Sequence, residues 1–236
     1  MPALSALSTR RLRSIARAIL PFPEPESWLD VGTGEARFPK AAKEFFPYTS
    51  FDGLDATPRV EQARRAERVE EAHVGLLTDP RITTRLRARY DVVSMLHHLP
   101  HTQDPRDELQ AAVAVLRPGG HLLLEAPDPQ SAFAALLGER WLPRAHRFRL
   151  LSLDDLCAEL ESQGCAIVRT DRRVAHLPDD LSAALSLSLP GFLPPWVTRP
   201  LVATARALDH ALAPLLGLTR FANAYRLIAR REASTP

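Results

Sequence analysis

The sequence contains very little cysteine and no long apolar run. Its two cysteines, Cys157 and Cys165, are not spaced as metal ligands or as a redox pair, so we expect free thiols in a reducing compartment. No uninterrupted apolar stretch approaches the roughly 18 residues that a membrane-spanning helix needs. The N-terminal segment MPALSALSTRRLRSIARAIL carries arginines and has no clear cleavage site, which disfavours a secretory signal. The sequence therefore predicts a cytoplasmic protein.

Clustered positive charge is also lacking. The net charge is +2, and nearly every basic residue is an arginine, since Lys40 and Lys43 are the only lysines. No basic run is long enough to suggest a nucleic-acid groove, so we expect no nucleic-acid partner. With 45% apolar and 25% charged residues, the chain of 236 residues has the composition of an ordinary globular protein. Its length allows one α/β domain with a modest insertion.

The pattern near the N-terminus predicts an amphipathic helix. Leu12, Ile15, Ala16 and Ile19 recur at the i, i+3, i+4, i+7 spacing of one helical face, and Pro21 ends the pattern. Apolar stripes usually face a core, so we expect this helix to dock on its own domain. A second subunit or an anionic membrane surface is the alternative.

Beyond this helix, short apolar strands alternate with helical segments. Such alternation is typical of a mostly parallel sheet with helices on both faces. The predicted strands are Trp28–Val31, Ser50–Leu54, Ala72–Leu77, Tyr90–Leu96, His121–Ala126, residues 165–172 and a last strand within FANAYRLIARR; the predicted helices are Glu35–Phe46, Pro58 to about Glu71, one with Pro105 at its first position and one capped by Ser152.

We expect a single domain over residues 1–236. In it, residues 1–26 form the N-terminal helix and a connector, 27–176 the core, 177–218 a helical cap insertion and 219–231 the last strand. The insertion is apolar, is broken by prolines, and carries Phe192 and Trp196. A substrate lid, a homodimer interface and a peripheral membrane contact remain open as its role.

A glycine loop follows the first predicted strand, in the segment LDVGTGEA. Glycines at such a place let the backbone turn tightly and approach a ligand. The dinucleotide fingerprint G-x-G-x-x-G is incomplete, because Gly32 and Gly34 are followed by Glu35, Ala36 and Arg37. No tyrosine has a lysine four residues later, as a short-chain dehydrogenase would require. These two absences disfavour a dehydrogenase.

The loop instead resembles motif I of the class I S-adenosylmethionine-dependent methyltransferases, an acidic residue followed by x-Gly-x-Gly-x-Gly. Ala36 replaces the third glycine, and we expect its methyl group near the cofactor. Later segments are similar to further family patterns, notably FDGLDAT, LLTDP, RYDVVSMLHHLPHTQDP and VLRPGGHLLLEAPDP. The resemblance covers roughly residues 28 to 168. It implies a Rossmann-like, doubly wound sheet of seven strands with the last one antiparallel.

The resemblance also implies S-adenosylmethionine as the cofactor. The acidic residue of motif I is expected beside the methionine end, Asp55 at the ribose hydroxyls, and Asp79 at the adenine amino group. Each acid also has a purely structural interpretation, which for Asp79 is a helix cap before Pro80. The complete set of cofactor contacts predicted in this way is Asp30, Gly32, Thr33, Gly34, Asp55, Ala56, Asp79 and Met95.

Histidines are the candidates for proton transfer, because an oxygen nucleophile must lose its proton as it attacks a methyl group. His101 matches a histidine of the family pattern after strand four, and His97 lies one helical turn earlier. His98 is expected to point elsewhere. His146, in WLPRAHRFRL, resembles a position where relatives carry histidine. The predicted catalytic residues are His97, His101 and His146, with backbone packing or a solvated loop as the alternative.

No metal is predicted, although His97 and His101 have the i, i+4 spacing of metal ligands. The chain resembles the ubiquinone-type O-methyltransferases here, but Pro100 stands where those proteins carry a glutamate. The sequence thus predicts O-methylation of a hydrophobic small molecule or a lipid-linked acceptor. A protein of this fold that binds the cofactor without transferring a methyl group, such as a cyclase or a partner-binding subunit, is the alternative, left open by Ala36 and Pro100.

Overall fold

A computed structural model describes residues 9–138, 150–173, 175, 180–190, 193–216, 219 and 221–233. Strands and helices alternate along the core, as the sequence predicts. No helix in these ranges is both long enough and apolar enough to cross a bilayer.

Seven strands form one sheet in the order β3-β2-β1-β4-β5-β7-β6. β7 runs antiparallel to both of its neighbours, while the remaining neighbour pairs are parallel. This confirms the predicted doubly wound sheet with an antiparallel last strand. The strands are β1 Ser27–Val31, β2 Ser50–Asp55, β3 Ala72–Val74, β4 Tyr90–Leu96, β5 Leu116–Pro127, β6 Cys165–Asp171 and β7 Ala224–Arg231.

The helices of the described ranges cover the sheet and extend from it. They are α1 Thr9–Ala16, α2 Arg37–Ala42, α3 Arg59–Arg65, α4 Pro80–Leu86, α5 Pro105–Val115, α6 Ala132–Leu137, α7 Leu153–Ser162, α8 Asp180–Ser188 and α9 Pro195–Leu216, with 3-10 turns at Arg17–Ile19 and Leu99–His101. Several boundaries differ from the prediction, since α3 ends at Arg65 and not at about Glu71, and β5 begins at Leu116 and not at His121. Two further differences have a physical reason. α2 begins at Arg37 because Ala36 has left-handed dihedral angles, which a right-handed helix excludes. β3 ends at Val74 because Gly75 follows with φ of +148°.

Apolar side chains from successive strand positions fill both faces of the sheet. Trp28 packs on one face with Ile15 and Phe38, whereas Leu29 packs on the other face with Leu109 of α5. α1 contributes Leu12 and Ile15, both buried, and burial of such a side chain stabilises the fold by about 1.5–3 kcal/mol. The N-terminal helix thus docks on its own domain, as the apolar stripe predicts.

Among the described residues, the insertion contains two helices, and an aspartate of the second helix binds the N-terminus of the first. Asp209 of α9 is buried and accepts hydrogen bonds from the backbone N–H groups of Leu181 and Ser182, at 3.0 and 2.9 Å, in the first turn of α8. Asn223 Nδ2, just before β7, donates to Asp180 Oδ2 at 2.6 Å. These contacts anchor the helical insertion to the sheet, and Trp196 remains exposed.

The strand order reverses between β1 and β4, which are neighbours in the sheet. After β1 the chain builds outward to β2 and β3, and it then returns to add β4 on the other side. Diverging connections leave a crevice at the carboxyl ends of the strands at such a point. This topology places the ends of β1, β2 and β4 around one site.

Candidate functional site

A cavity of about 510 Å³ opens at this reversal point. Its volume lies in the range typical of small-molecule sites. The glycine loop, the end of β2, the segment after β3 and the turn after β4 supply its walls. The lining residues are Asp30, Gly32, Thr33, Gly34, Glu35, Arg37, Phe38, Leu54, Asp55, Ala56, Thr57, Arg59, Gly75, Leu76, Leu77, Thr78, His97, His98, His101, Thr102, Gln103, Asp104, Asp107 and Glu108.

The glycine loop is held to the end of β2 by its own backbone. The N–H groups of Gly32 and Thr33 both donate to Leu54 O, at 2.8 and 3.1 Å. Gly34 N donates to Asp55 Oδ2 at 2.9 Å. Three successive amides are therefore used within the protein. These N–H groups are therefore not free to bind an anion in the cavity, and the polar groups that face the cavity here are mainly carboxylates.

Both glycines of the loop have left-handed dihedral angles, with φ of +72° at Gly32 and +53° at Gly34. Only glycine adopts this region without steric cost. A β-carbon on Gly34 would meet no atom within 4 Å, so this position opens into unfilled space beside the cavity. Such a cradle fits a ligand that lies close to the backbone.

Ala36 also has left-handed angles, with φ of +52° and ψ of +44°. Its side chain is fully buried against Ala63 and Val69, and it is not part of the cavity lining. This contradicts the expectation that its methyl group lies near the cofactor. The replacement of glycine costs backbone strain of about 1–2 kcal/mol here and leaves the cavity open.

Asp30 is a buried carboxylate at the base of the cavity. Ser94 Oγ donates to its Oδ1 at 2.6 Å, and Trp28 Nε1 donates to Ser94 Oγ at 2.9 Å. Burial raises the pKa of Asp30 to about 6, although the hydrogen bond from Ser94 and the nearby Thr33 and His98 oppose the rise. The Thr33 hydroxyl is buried and makes no hydrogen bond of good geometry with the described residues. The cavity thus holds a buried carboxylate and, near it, a hydroxyl group that has no hydrogen-bond partner among the described residues.

Asp55 lies at the end of β2, where the resemblance implies the ribose contact. Its Oδ2 accepts from Gly34 N, and its Oδ1 accepts from Thr57 N at 2.8 Å and Thr57 Oγ1 at 2.5 Å. These bonds fix the carboxylate at the cavity wall. Each carboxylate oxygen has two lone pairs, so acceptor capacity remains for ligand hydroxyl groups.

The residues present fit S-adenosylmethionine. Gly34 leaves open space for a ligand near the backbone, and the carboxylates of Asp30, Glu35 and Asp55 suit a molecule with a sulfonium, an ammonium group and ribose hydroxyls. Of the eight predicted contacts, six line the cavity: Asp30, Gly32, Thr33, Gly34, Asp55 and Ala56.

The other two, Asp79 and Met95, are not part of the lining. Asp79 is exposed and caps α4, where its Oδ1 accepts from Arg81 N at 2.9 Å. The structure thus gives it the role that Asp79 and Pro80 indicate in sequence, although α4 itself is absent from the sequence prediction. Met95 lies within β4 and is fully buried in the core. Beside Asp79, the cavity is lined by Leu76, Leu77 and Thr78, which follow β3.

His97 is buried yet lines the cavity, and it has a φ of +53°. A non-glycine residue in this region carries strain that tends to occur at functional sites. Its backbone N–H donates to Glu125 O at 2.7 Å, and its Nε2 lies 3.5 Å from Glu125 Oε2. That separation makes an ion-pair contact, but the geometry falls short of a hydrogen bond.

His98 lies in the cavity wall, against the expectation that it points elsewhere. Its Nε2 is 3.0 Å from Glu108 Oε1 in α5, and its ring rests on Gly32. The sequence does not show this orientation, because it depends on the backbone geometry of the preceding residue. His97 has left-handed angles, so the side chain of His98 no longer follows the alternation of the strand.

His101 ends the 3-10 turn Leu99–His101 and lines the same cavity as His97. Its N–H donates to His98 O at 2.9 Å. The structure therefore brings His97 and His101 to one cavity. His146 lies outside the described residues.

Glu125 is a functional candidate that sequence reasoning missed. It is fully buried in β5, where Arg226 Nε donates to its Oε1 at 2.6 Å and Arg11 donates to its Oε2 at 3.0 Å. The available signal was a single charged residue in the apolar strand HLLLEAP, because buried charges are rare unless paired.

Among the described residues, none of the insertion lines the cavity. A cluster with metal-ligand composition, Asp52, Glu71 and His73, lies away from the lining. Its carboxylates are bound by protein groups, since Tyr90 donates to Asp52 at 2.8 Å and Arg89 to Glu71 at 2.6 Å.

Comparisons with known proteins point in one direction. The sequence profile of a family described as methyltransferase domain matches residues 5–170. A ubiquinone biosynthesis O-methyltransferase from Alkalilimnicola ehrlichii is 27% identical over 117 residues, which is 48% of this chain and 47% of that protein. The chain thus matches about half the length of this curated relative.

Solved structures share the fold over nearly the whole chain. A SAM-dependent methyltransferase from Archaeoglobus fulgidus has a TM-score of 0.61 at 15% identity, with 95% of each chain covered. A cyclase, SpnF, also has a TM-score of 0.61, at 18% identity, with 96% of this chain and 81% of the other covered. At such identities, the structural likeness shows the fold alone.

Proposed function

The chain belongs to the class I S-adenosylmethionine-dependent methyltransferases, and on this premise we propose that it methylates an oxygen atom of a hydrophobic small molecule or lipid-linked acceptor. The observation that carries the proposal is the position of two histidines, His97 and His101, in the same cavity as the glycine loop and Asp55. That cavity brings a predicted cofactor site and two potential bases together.

The loop and the end of β2 would hold the cofactor. Asp55 would accept hydrogen bonds from the ribose hydroxyl groups, and Asp30 with the Thr33 hydroxyl would lie toward the methionine end. When bound, S-adenosylmethionine supplies a methyl group on a sulfonium, a strong electrophile that needs no further activation. The chain's own task is to align the acceptor and keep out water.

A histidine takes the proton that the acceptor hydroxyl loses. His97 is the better candidate of the two, because it is buried and its ring is held against Glu125. Neutral imidazole has one unprotonated nitrogen, which can accept a proton from a hydroxyl group. His101 lies at the cavity wall as a second proton acceptor or as a contact for the acceptor molecule.

The apolar nature of the acceptor is supported by the surface of the insertion. Leu201, Leu208, Leu212 and Leu215 of α9 are exposed and lie on one helical stripe. An acceptor carried by a membrane or a lipid would be compatible with such a stripe. The curated relative named a ubiquinone biosynthesis O-methyltransferase supports the same class of acceptor.

A second candidate keeps the fold and the cofactor but transfers no methyl group. The solved structure of the cyclase SpnF, which shares the fold, favours this alternative. Pro100, buried in the turn after β4, still separates the chain from the O-methyltransferase pattern. Ala36 no longer does so, because its methyl group lies outside the cavity.

Two measurements test the proposal. Calorimetric titration with S-adenosylmethionine and S-adenosylhomocysteine should give micromolar binding to the wild type and binding weaker by more than about tenfold to Asp55→Ala, which removes the carboxylate at the cavity wall. Thermal unfolding of the variant checks that the loop it supports is still folded. Absence of binding to the wild type would contradict the cofactor site itself.

Release of S-adenosylhomocysteine is then measured with a panel of hydroxylated quinones, phenols and lipid-linked alcohols. Product formation that His97→Asn abolishes, with cofactor binding retained, supports O-methyl transfer. Cofactor binding with no product from any apolar hydroxyl compound, but with product from an amine panel, would contradict the proposed acceptor. Turnover of an acceptor without consumption of the cofactor would favour the cyclase alternative.

A further inference from the structure

Glu125 contacts His97 through both its backbone and its side chain. Glu125 O accepts the His97 backbone N–H at 2.7 Å, and Glu125 Oε2 lies 3.5 Å from His97 Nε2. The first contact holds the backbone where His97 takes its φ of +53°. The second faces one nitrogen of the ring with a carboxylate oxygen.

Two arginines hold this carboxylate in its ionised form. Arg226 of β7 contacts Oε1 at 2.6 Å, and Arg11 of α1 contacts Oε2 at 3.0 Å. Although burial alone would raise it, these cations and His97 lower the pKa of Glu125 to about 2. The ring of His97 therefore faces a full negative charge on a carboxylate that is itself fully buried.

The arginines are themselves fixed by backbone oxygens. Arg226 Nη1 donates to Ser14 O at 3.1 Å, and Arg11 Nη2 donates to Ala175 O at 2.7 Å. The N-terminal helix and β7 thus each bring one arginine to the carboxylate of β5, and a backbone oxygen holds each arginine in turn. A carboxylate held by two fixed cations changes its position little when the cavity fills.

A carboxylate opposite a ring nitrogen selects the tautomer that carries its proton there. With the proton on Nε2, the protonated nitrogen is the one that lies 3.5 Å from Glu125 Oε2, which is an electrostatically favourable contact even without hydrogen-bond alignment, and Nδ1 is left unprotonated. The same relation between a buried carboxylate and a histidine orients the base in acyl-transfer enzymes. In this chain it would leave Nδ1 as the proton acceptor for a substrate hydroxyl.

We propose that Glu125 is a positioning residue that fixes the orientation of His97 and its Nε2–H tautomer, with Arg11 and Arg226 holding the carboxylate in place. The role assigned to Nδ1 rests on the proposed function, in which His97 accepts the proton. The tautomer itself is a property of the protein alone, and it is measurable without an acceptor.

The experiment records long-range ¹H–¹⁵N correlations of the histidine side chains in the whole protein at about pH 9, where ordinary histidines are neutral. His97→Asn, which tolerates left-handed angles, assigns the signals of His97. Glu125→Gln removes the charge at nearly constant shape. Glu108→Gln is the matched control, because Glu108 is also buried and faces Nε2 of the adjacent His98 at 3.0 Å.

The expected wild-type spectrum shows His97 as the Nε2–H tautomer. Glu125→Gln should remove this preference, while S-adenosylhomocysteine binding stays within about threefold because Glu125 does not line the cavity. Glu108→Gln should change the signals of His98 and leave those of His97 in place. This pair of results separates a local effect on His97 from a general loosening of the fold.

A wild-type His97 with its proton on Nδ1 would overturn the proposal, and so would a tautomer that Glu125→Gln leaves unchanged. If Glu125→Gln does not fold, Glu125→Asp decides the matter, since it keeps the charge but withdraws the carboxylate by one methylene. The Nε2–H preference should then weaken, and an unchanged tautomer would again overturn the proposal. Failure of the proposed function has a different signature, which is a correct tautomer with no methylated product.

Discussion

The imidazole of His98 rests on Gly32, and its Nδ1 lies 2.5 Å from the position that a β-carbon on Gly32 would occupy. The other ring nitrogen is 3.0 Å from Glu108 Oε1, so α5 holds the ring against the loop. Gly32 is therefore required twice, by its φ of +72° and by its neighbour. The turn after β4 thereby helps to shape the loop after β1.

Gly32→Ala should lower the free energy of unfolding by about 2–4 kcal/mol, since it combines left-handed strain with a collision against His98. Gly34→Ala is its matched control. It has similar strain, but its β-carbon meets no atom within 4 Å, so we expect a loss of only about 1 kcal/mol. Urea unfolding measures both.

Gly34→Ala should weaken ligand binding strongly although it changes the free energy of unfolding only a little. The β-carbon of Gly34→Ala enters the space beside the cavity, so S-adenosylhomocysteine should bind more weakly by at least about tenfold despite the small loss of stability. Equal stability losses for the two variants, or unchanged binding by Gly34→Ala, would contradict this account of the loop.

Ala36→Gly should change little. Glycine relieves left-handed strain of about 1–2 kcal/mol, but it removes a buried methyl group worth about 0.8 kcal/mol and increases the entropy of the unfolded chain. We expect the free energy of unfolding to change by less than about 1 kcal/mol and the affinity for S-adenosylhomocysteine to stay the same. A large gain in affinity would show that the alanine methyl group does obstruct the cofactor.

Asp30→Asn should stabilise the protein in a manner that depends on pH. The pKa of Asp30 is about 6 in the folded protein, whereas its ordinary value, which applies to the unfolded chain, is 3.8. Between these pH values the folded protein binds the proton more tightly than the unfolded chain does, so the wild type loses stability as the pH rises. The variant has no charge to bury. Its advantage should be absent below about pH 4 and reach about 3 kcal/mol above about pH 7.

Unfolding free energies of both proteins over this pH range measure that difference in stability. Calorimetric titration at pH 8 measures the accompanying change in the affinity for S-adenosylmethionine. S-adenosylmethionine should bind less tightly to Asp30→Asn, because the substitution removes a negative charge that attracts a cationic ligand. The same buried charge lowers the stability of the folded wild type. A difference in stability that is constant with pH would contradict the raised pKa of Asp30.

Asp79→Ala should act mainly on stability. The substitution removes the cap of α4, which costs about 1 kcal/mol, and we expect S-adenosylhomocysteine to bind within about threefold of the wild type, because Asp79 does not line the cavity. Asp79→Ser keeps a capping oxygen and should recover most of the stability. Binding weakened by tenfold in both variants would instead restore the adenine contact that the family resemblance implies.

The order of strands and helices could be read from the sequence because buried parallel strands are continuous apolar runs and helices have their own spacing. Six of the eight predicted cofactor contacts line the cavity because they lie at the ends of β1 and β2 or directly after them. The sequence prediction lacks helix α4, although Asp79 followed by Pro80 is a helix-start signal. Met95 is buried in the core and does not line the cavity, and alternation along a strand does not distinguish a side chain that packs in the core from one that borders a cavity.

The sequence by itself determined the sheet, the place of the glycine loop, and the two acids at the ends of β1 and β2, since these depend on local spacing and on topology. Only the tertiary structure decided which side chains meet across that topology. Gly32 and His98 are distant in sequence, as are Glu125, Arg11 and Arg226, and nothing in local periodicity links them. Their contacts arise because one sheet carries β1, β4, β5 and β7 side by side, and because buried charges and a left-handed histidine persist only where neighbours from several elements compensate them.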